Sequence, residues 1–391
     1  MKLRQRVDDF QVEEINKFEI LENSSTKAKY KIYLLEKRGL ETFFVLKYLS
    51  RNNKIPLSEF KIAGLKDRHA ITKQYLTIPS KYELKNLDER NLKLTFLGYV
   101  EKPIKIGLLK GNKFMITVRD IKNEELKAIE ENANDVKKCG FVNYFGSQRF
   151  GSVIHGKFIA KFIMKKNYEE AVKIFLTSYT KHENRKRKEE KRKIAKKWNE
   201  IKTLKTENKL FSEILEEYRK TESWLLAYKK IPKNLREIFV SAYQSYLWNE
   251  CVKLILKRCI DNRKLYTSKY SLGELIFYRN LTPNEIRKIP RTFKMLSHNV
   301  KLTDFEKEIV EEVLSSEGIR IKDFDIQKET GNFFKLYDRE IVAMPENFEI
   351  SEAQVDEIND RWKKRRFKVT LSFILKKGSY ATVLLQRIFN R

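Results

Sequence analysis

Four consecutive ionisable residues, Lys66, Asp67, Arg68 and His69, stand between a short apolar run ending at Leu65 and a run rich in strand formers, Ile71, Thr72, Tyr75, Thr77 and Ile78. The pattern predicts strand, turn, strand, with Gly64 giving the backbone freedom on the approach to the turn. A single carboxylate is thereby held at a loop tip among cations. Lys66 and Arg68 favour its ionised form, which suits a nucleophile or general base better than a proton donor. The other reading of the same residues is a surface turn with a local ion pair.

A second stretch with chemical content is Asn143-Tyr144-Phe145-Gly146-Ser147-Gln148-Arg149-Phe150-Gly151. Two glycines bracket an amide, a guanidinium and an aromatic ring, a composition suited to a loop that stacks on a flat ring and hydrogen-bonds its edge. A tight turn around a buried phenylalanine has the same composition.

The elements that must position these loops are readable from periodicity. Asp9 to Ile15 and Tyr30 to Leu34 alternate apolar with polar residues and predict strands, with a turn at Asn23, Ser24 and Ser25 between them. Val45, Tyr48 and Leu49 predict a short helix from Thr42 to Leu49. Leu92, Leu94 and Phe96, then Phe114, Ile116 and Val118, are the buried faces of two further strands. Asn123 is expected to cap a helix whose apolar face is Leu126, Ile129, Ala133 and Val136, and Gly140 to end it.

After Gly151 the pattern turns strongly helical. It includes the basic run from Lys181 to Lys193, interrupted by three acids, and an apolar helix headed by Ser241 to Asn249 that continues through Val252, Leu254 and Ile255. Alternation returns at Val369, Leu371, Phe373 and Leu375, followed by a turn at Lys376 to Ser379 and a closing helix from Tyr380 to Phe389. Strands interspersed with amphipathic helices predict an α+β fold.

Composition narrows the function. At 391 residues, 41% hydrophobic and 12% aromatic, the chain folds around a substantial core and has room for two domains. Lys plus Arg is 82 against 53 Asp plus Glu, an excess of 82 − 53 = 29 that points to a polyanionic partner. Heat adaptation raises Glu together with Lys and leaves no such surplus. Cys139, Cys251 and Cys259 form no Cys-x-x-Cys pair, and His69, His155, His182 and His298 have no metal-ligand spacing. Neither a disulfide framework nor a metal site is expected, and a reducing compartment fits. No segment approaches the roughly 20 apolar residues of a membrane span, and Met1 to Arg6 lacks the apolar run of a signal peptide, so the cytoplasm is expected.

Gly64-Leu65-Lys66-Asp67-Arg68-His69-Ala70-Ile71-Thr72-Lys73-Gln74 closely resembles the signature of the TruD family of tRNA pseudouridine synthases, in an archaeal-like form. Other elements are similar in the family's order. Asp9-Phe10-x-Val12-x-Glu14 matches its first strand, Lys37 and Thr42 a Lys-x-x-x-x-Thr pattern, and Leu109 to Phe114 a Leu-Lys-Gly-Asn-x-Phe element. Asn143, Phe145, Gly146, Gln148, Arg149, Phe150 and Gly151 match another, with one residue fewer between Asn143 and Phe145. Gln244 to Asn249 follows Gln-Ser-x-Leu-Phe-Asn with Trp248 replacing Phe, and Gly378 to Thr382 follows the C-terminal element with Lys376 in place of proline.

The resemblance implies a discontinuous catalytic domain, residues 1–151 and 338–391, on a mixed, largely antiparallel sheet, with a helix-rich TRUD insertion domain at 152–337. It implies Asp67 as nucleophile, Phe145 stacking on the target base and Asn143 contacting it. Arg4 stands where the family places a lysine to hold the aspartate; it keeps the charge and adds a planar fork. Lys66, Arg68, His69, Lys110 and Arg149 become candidate ligands of RNA phosphate or sugar. The implied substrate is a uridine of tRNA, position 13 first, with no cofactor and no metal, and a monomer is the simplest assembly. The alternative is a noncatalytic RNA chaperone or assembly factor using the same basic surface. A two-metal nuclease is disfavoured, since it needs clustered carboxylates where Asp67 has cations.

Overall fold

Alternating apolar and polar residues build eight strands into one sheet: Phe10–Asn16 (β1), Tyr30–Arg38 (β2), Ile71–Pro79 (β3), Leu87–Glu89 (β4), Leu92–Val100 (β5), Leu109–Ile121 (β6), Glu346–Ile350 (β7) and Phe367–Lys376 (β8). This computed structural model describes every residue except 23–27, 106, 181–182 and 390–391. The turn expected at Asn23, Ser24 and Ser25 and the first two residues of the basic run therefore lie outside the described residues.

The strand order is β7-β8-β6-β1-β3-β2-β5-β4. β1 and β3 run parallel, with Val12 opposite Thr72, and the other neighbours in this order pair antiparallel. Short strands add to three members: Lys2–Leu3 to β6, Lys61–Ile62 to β3 and Gln354–Val355 to β8. The expected mixed, largely antiparallel sheet is thus present, and β8 rejoins the sheet that β1 begins. Gly111 makes the β6–β8 pairing possible, because a Cβ there would meet the carbonyl oxygen of Leu375 at 2.1 Å.

The helix Thr42–Asn53 (α1) covers one face of this sheet. Val45, Leu46 and Leu49 pack on Tyr33 and Leu35 of β2, Leu76 and Ile78 of β3, and Leu92 and Leu94 of β5. Each such side chain contributes about 1.5–3 kcal/mol when fully buried, so β2 and β3 are firmly held where they carry the loops described below. The helix Asn123–Cys139 (α2) buries Ile129, Ala133 and Val136 as expected and ends at Gly140. Asn123 is its first residue and not its cap. The Glu125 carboxylate instead accepts from the Lys122 backbone N–H at 2.7 Å, which satisfies the end of the helix from within.

The chain forms two compact units, Met1–Phe141 with Ala343–Phe389, and Val142–Val342. The first contains the sheet, α1, α2 and the closing helix Ala381–Phe389. Residues 142–151 and 338–342 belong to the second, so Asn143, Phe145 and Arg149 are carried by the helical unit. Its long element is the helix Lys233–Cys259. Ser241 to Asn249 lies at the centre of that helix, not at its head, because its first turns are charged and carry little apolar periodicity. The basic run forms the helix Arg185–Lys196, capped by the Asn184 side chain accepting from Arg187 N at 2.8 Å. Lys191 of that run is buried, its ammonium donating to the Ser178 carbonyl at 2.6 Å and paired with Glu183 at 3.1 Å. Among the described residues no helix is long and apolar enough to cross a membrane.

Candidate active site

The loop from Ala63 to Ala70 joins Lys61–Ile62 to β3. Side chains from three neighbouring elements bind its backbone. Lys66 N–H donates to Oγ1 of Thr42, the first residue of α1, at 3.1 Å. Gln74 Nε2 of β3 donates to the Gly64 carbonyl at 3.4 Å. Lys37 Nζ of β2 donates to the carbonyls of Leu40 at 2.8 Å and Asp67 at 2.9 Å. Lys37 is 1% exposed. Burial pushes its pKa down to about 8, against the pull of the nearby Asp67 charge.

These anchors leave the Asp67 carboxylate turned outward. Its side chain is 33% exposed and its Oδ2 is ion-paired with the Arg4 guanidinium, itself 31% exposed. Oδ1 accepts from His69 N at 3.1 Å, closing the turn. Arg4 has a left-handed backbone, φ 56°, and its guanidinium lies 4.2 Å from the centre of the Phe10 ring. The segment carrying it is tied down just downstream. Asp9 accepts from Arg6 N at 2.7 Å and from the buried Arg119 guanidinium at 2.8 Å, and Arg119 also reaches Asp356 at 3.1 Å.

Lys66 does not flank the Asp67 carboxylate. Its ammonium is paired with Glu14 of β1, whose fully buried carboxylate also accepts from Tyr75 N at 2.8 Å. The cation beside Asp67 therefore comes from the N-terminal segment, 63 positions upstream, while Lys66 holds the loop to β1. Arg68 and His69 are exposed at the tip. Lys110 sits at the start of β6 and not in a loop, half-exposed and 3.6 Å from Glu346.

In the second unit, both polar ends of the Asn143 amide are engaged. Nδ2 donates to the Glu340 carbonyl at 3.1 Å and Oδ1 accepts from Arg339 at 3.0 Å. Arg339 donates twice more to the Asn143 carbonyl, at 3.1 and 2.6 Å. The Phe145 backbone is bracketed by Asn249, whose Oδ1 accepts from Phe145 N at 2.9 Å and whose Nδ2 donates to Phe145 O at 3.0 Å. The ring of Phe145 is 4% exposed, edge-on to Trp248 at 5.6 Å, with the Arg339 guanidinium 4.0 Å from its centroid. The ring thus presents no open face in this arrangement. Arg149 lies 5.7 Å from the same centroid and donates to Ser245 Oγ at 3.1 Å.

Sequence reasoning did not single out Glu14, Asn249 or Arg339 for these tasks. Asn249 closes the Gln-Ser-x-Leu-x-Asn element, which was a usable signal; Arg339 stands in no motif.

A reachable carboxylate on a loop clamped by buried side chains, with a guanidinium beside it, defines a site able to act as a nucleophile or base. Among the described residues no group of three or more His, Cys, Asp or Glu is placed to hold a metal ion. Comparison with known proteins agrees in class. A family model described as tRNA pseudouridine synthase D (TruD) matches residues 1–388. The chain is 41% identical, over the whole length of both, to the probable tRNA pseudouridine synthase D 1 of Methanococcus maripaludis. It is 32% identical to the tRNA pseudouridine synthase D of Aquifex aeolicus, covering 100% of this chain and 98% of that one. The crystal structure of a putative tRNA pseudouridine synthase D from Methanosarcina mazei superposes with a TM-score of 0.73 at 25% identity, covering 100% of this chain and 93% of that one. The chain belongs to the TruD family of tRNA pseudouridine synthases, enzymes that isomerise uridine to pseudouridine.

Proposed function

We propose that this chain isomerises a uridine of tRNA in the cytoplasm with Asp67 as its nucleophile, and that uridine at position 13 is the first substrate to test. The observation that carries this is the Asp67 carboxylate itself: reachable, paired with Arg4, and projecting from a loop whose carbonyl is pinned by Lys37.

Isomerisation breaks the N1–C1′ bond, turns the uracil, and joins C5 to C1′. The C5 proton leaves and a proton is gained at N1, so the composition is unchanged and no cofactor is required. A carboxylate can begin this by attacking C1′ or C6, or by removing the C2′ proton, and all three routes start from its charged form. The Arg4 guanidinium keeps that charge oriented and partly shielded from water. A target inside structured RNA must first leave its stack, at a cost of a few kcal/mol. We assign the offsetting contacts to Phe145, by stacking, and Asn143, by polar contact with the base. Uracil then takes the place of the Arg339 guanidinium over the Phe145 ring. Arg68, His69, Lys110 and Arg149 are assigned to phosphate and sugar; the pairing of Lys66 with Glu14 supports a loop-holding role for that residue.

The test treats unmodified tRNA transcripts with the wild type and with Asp67→Asn, then maps pseudouridine by carbodiimide-blocked primer extension. A stop at one uridine with the wild type and none with the variant is expected. Equal yields would remove Asp67 from the chemistry.

A further inference from the structure

In the second unit the chain from Asn332 to Phe334 alternates buried and exposed side chains, and Lys335, Leu336 and Tyr337 that follow are all exposed. Asn332 and Phe334 are buried, the latter packed edge-on against Phe324 at 4.8 Å. Phe333, Lys335 and Tyr337 point the other way, with Phe333 48% and Tyr337 44% exposed. Large aromatic rings left this open, two residues apart from a cation on either side, are not what a folded interior produces.

The segment is tied to its neighbours at several points. Asp338 pairs with Lys294, and Met295 N donates to the Tyr337 carbonyl at 2.9 Å. One step further the ladder is completed by a side chain: Gln244 Nε2 donates both to Leu296 O at 2.7 Å and to Lys335 O at 2.8 Å. Below, Arg236 donates to Thr330 O and to Asn332 Oδ1 at 2.5 and 2.7 Å. The backbone is thus held while the side chains of Phe333, Lys335, Leu336 and Tyr337 stay exposed.

These side chains border a depression of about 280 Å³ that Arg149 and Ile238 also line. One carboxylate, that of Glu237, lines the depression together with the two cations Arg149 and Lys335. Two exposed rings flanking a lysine, beside a depression with two cations and one acid, match the chemistry of unpaired nucleic acid, whose bases stack on rings while its phosphates seek cations. They match duplex RNA poorly, since its bases are already stacked and its grooves are read through backbone and 2′-hydroxyls.

We infer that Phe333, Lys335 and Tyr337 form a further RNA subsite, adjoining Arg149, that stacks unpaired nucleotides of the substrate. The inference rests on the reading that the substrate is RNA, but it needs no chemistry at Asp67. The subsite contributes to capture of looped or unwound RNA and takes no part in the bond-making steps.

The test is a binding titration with the Asp67→Asn protein, so that turnover is absent. The probes are an unmodified tRNA transcript, a single-stranded RNA oligomer carrying 2-aminopurine, and a blunt RNA duplex of equal charge. Phe333→Ala with Tyr337→Ala is expected to weaken tRNA and single-strand binding about 10- to 100-fold, to abolish stacking quench of the 2-aminopurine, and to leave duplex binding within twofold. Phe333→Trp with Tyr337→Phe is expected to retain both affinity and quench, which excludes misfolding as the cause. Equal weakening of all three probes, or of none, overturns the proposal. Self-association of the parent protein that the alanine pair abolishes would make this face an interface between copies and also overturn it. Loss of pseudouridine formation by Asp67→Asn is a separate readout, so either reading can fail without the other.

Discussion

The buried ammonium of Lys37 donates a 2.9 Å hydrogen bond to the backbone carbonyl of Asp67, joining β2 to the peptide of the proposed nucleophile. The bond is strongest while Lys37 is charged. Its pKa of about 8 lies below the ordinary 10.5, so the folded protein releases this proton before the unfolded chain does. Between those two values the unfolded chain holds more protons, and native stability gains from this group as pH rises. The grip on Asp67 weakens over the same interval. Turnover is therefore expected to fall above about pH 8 without a loss of fold. Lys37→Met should lose about 10- to 100-fold in kcat through a looser loop and lose that alkaline limb. Profiles of kcat against pH, with melting curves, check this; wild-type turnover by Lys37→Met would remove the clamp from the mechanism.

Arg4 is ion-paired with Asp67, and its guanidinium also lies over the Phe10 ring. A lysine would keep the charge but neither the planar fork nor the stacking. Arg4→Lys is expected to retain part of kcat/KM, and Arg4→Ala to lose about 10- to 100-fold. The loss in Arg4→Ala should appear in single-turnover rates at saturating tRNA, because the pair orients the carboxylate and does not hold the RNA. A change confined to KM would instead assign Arg4 to RNA binding.

Phe145 has two duties that one substitution can separate. Its ring packs on Trp248 and under Arg339, and the proposed function asks the same ring to receive a uracil. Phe145→Leu keeps most of the volume, so a stability change below about 1.5 kcal/mol is expected by urea unfolding. The π face is lost, so kcat/KM should fall about tenfold or more. Should activity persist while stability drops, the ring is core and the stacking assignment fails.

The residues that read clearly from sequence are those whose reasons are local. The strand alternation at Val369 to Leu375, the apolar stripe of α2, and the outward loop at Asp67 all follow from neighbours within one or two turns of chain. Choice of partner is different. Lys66 finds Glu14 across 52 positions, Arg339 finds Asn143 across 196, and Arg119 finds Asp356 across 237. Periodicity carries no trace of such pairings, since any of the chain's many cations could have met any acid. This is why the cation at Asp67 was expected from its sequence neighbours as well as from Arg4, and why the hold of Arg339 and Glu340 on the Asn143 amide was not foreseen. Motif spacing did better than composition here because Arg4 was located by its distance from Phe10.

The pair between Lys66 and Glu14 predicts a stability effect distinct from any catalytic one. Glu14 is fully buried, and Lys66 and the Tyr75 N–H are its partners. Glu14→Gln retains an acceptor for Tyr75 but leaves the Lys66 ammonium without its counter-charge in a largely enclosed site. Breaking one side of a buried ion pair costs about 3–5 kcal/mol, and the unit carrying the sheet should unfold at correspondingly lower urea. Removing both charges, in Glu14→Gln with Lys66→Met, is expected to recover more than half of that loss, because no charge is then stranded. Activity should follow a different order. Both variants free the 63–70 loop from β1, so both should turn over slowly even where the double variant is as stable as the wild type. A double variant as unstable as the single one would mean that the Lys66 ammonium is solvated in solution and that the loop is held by Thr42 and Lys37 alone.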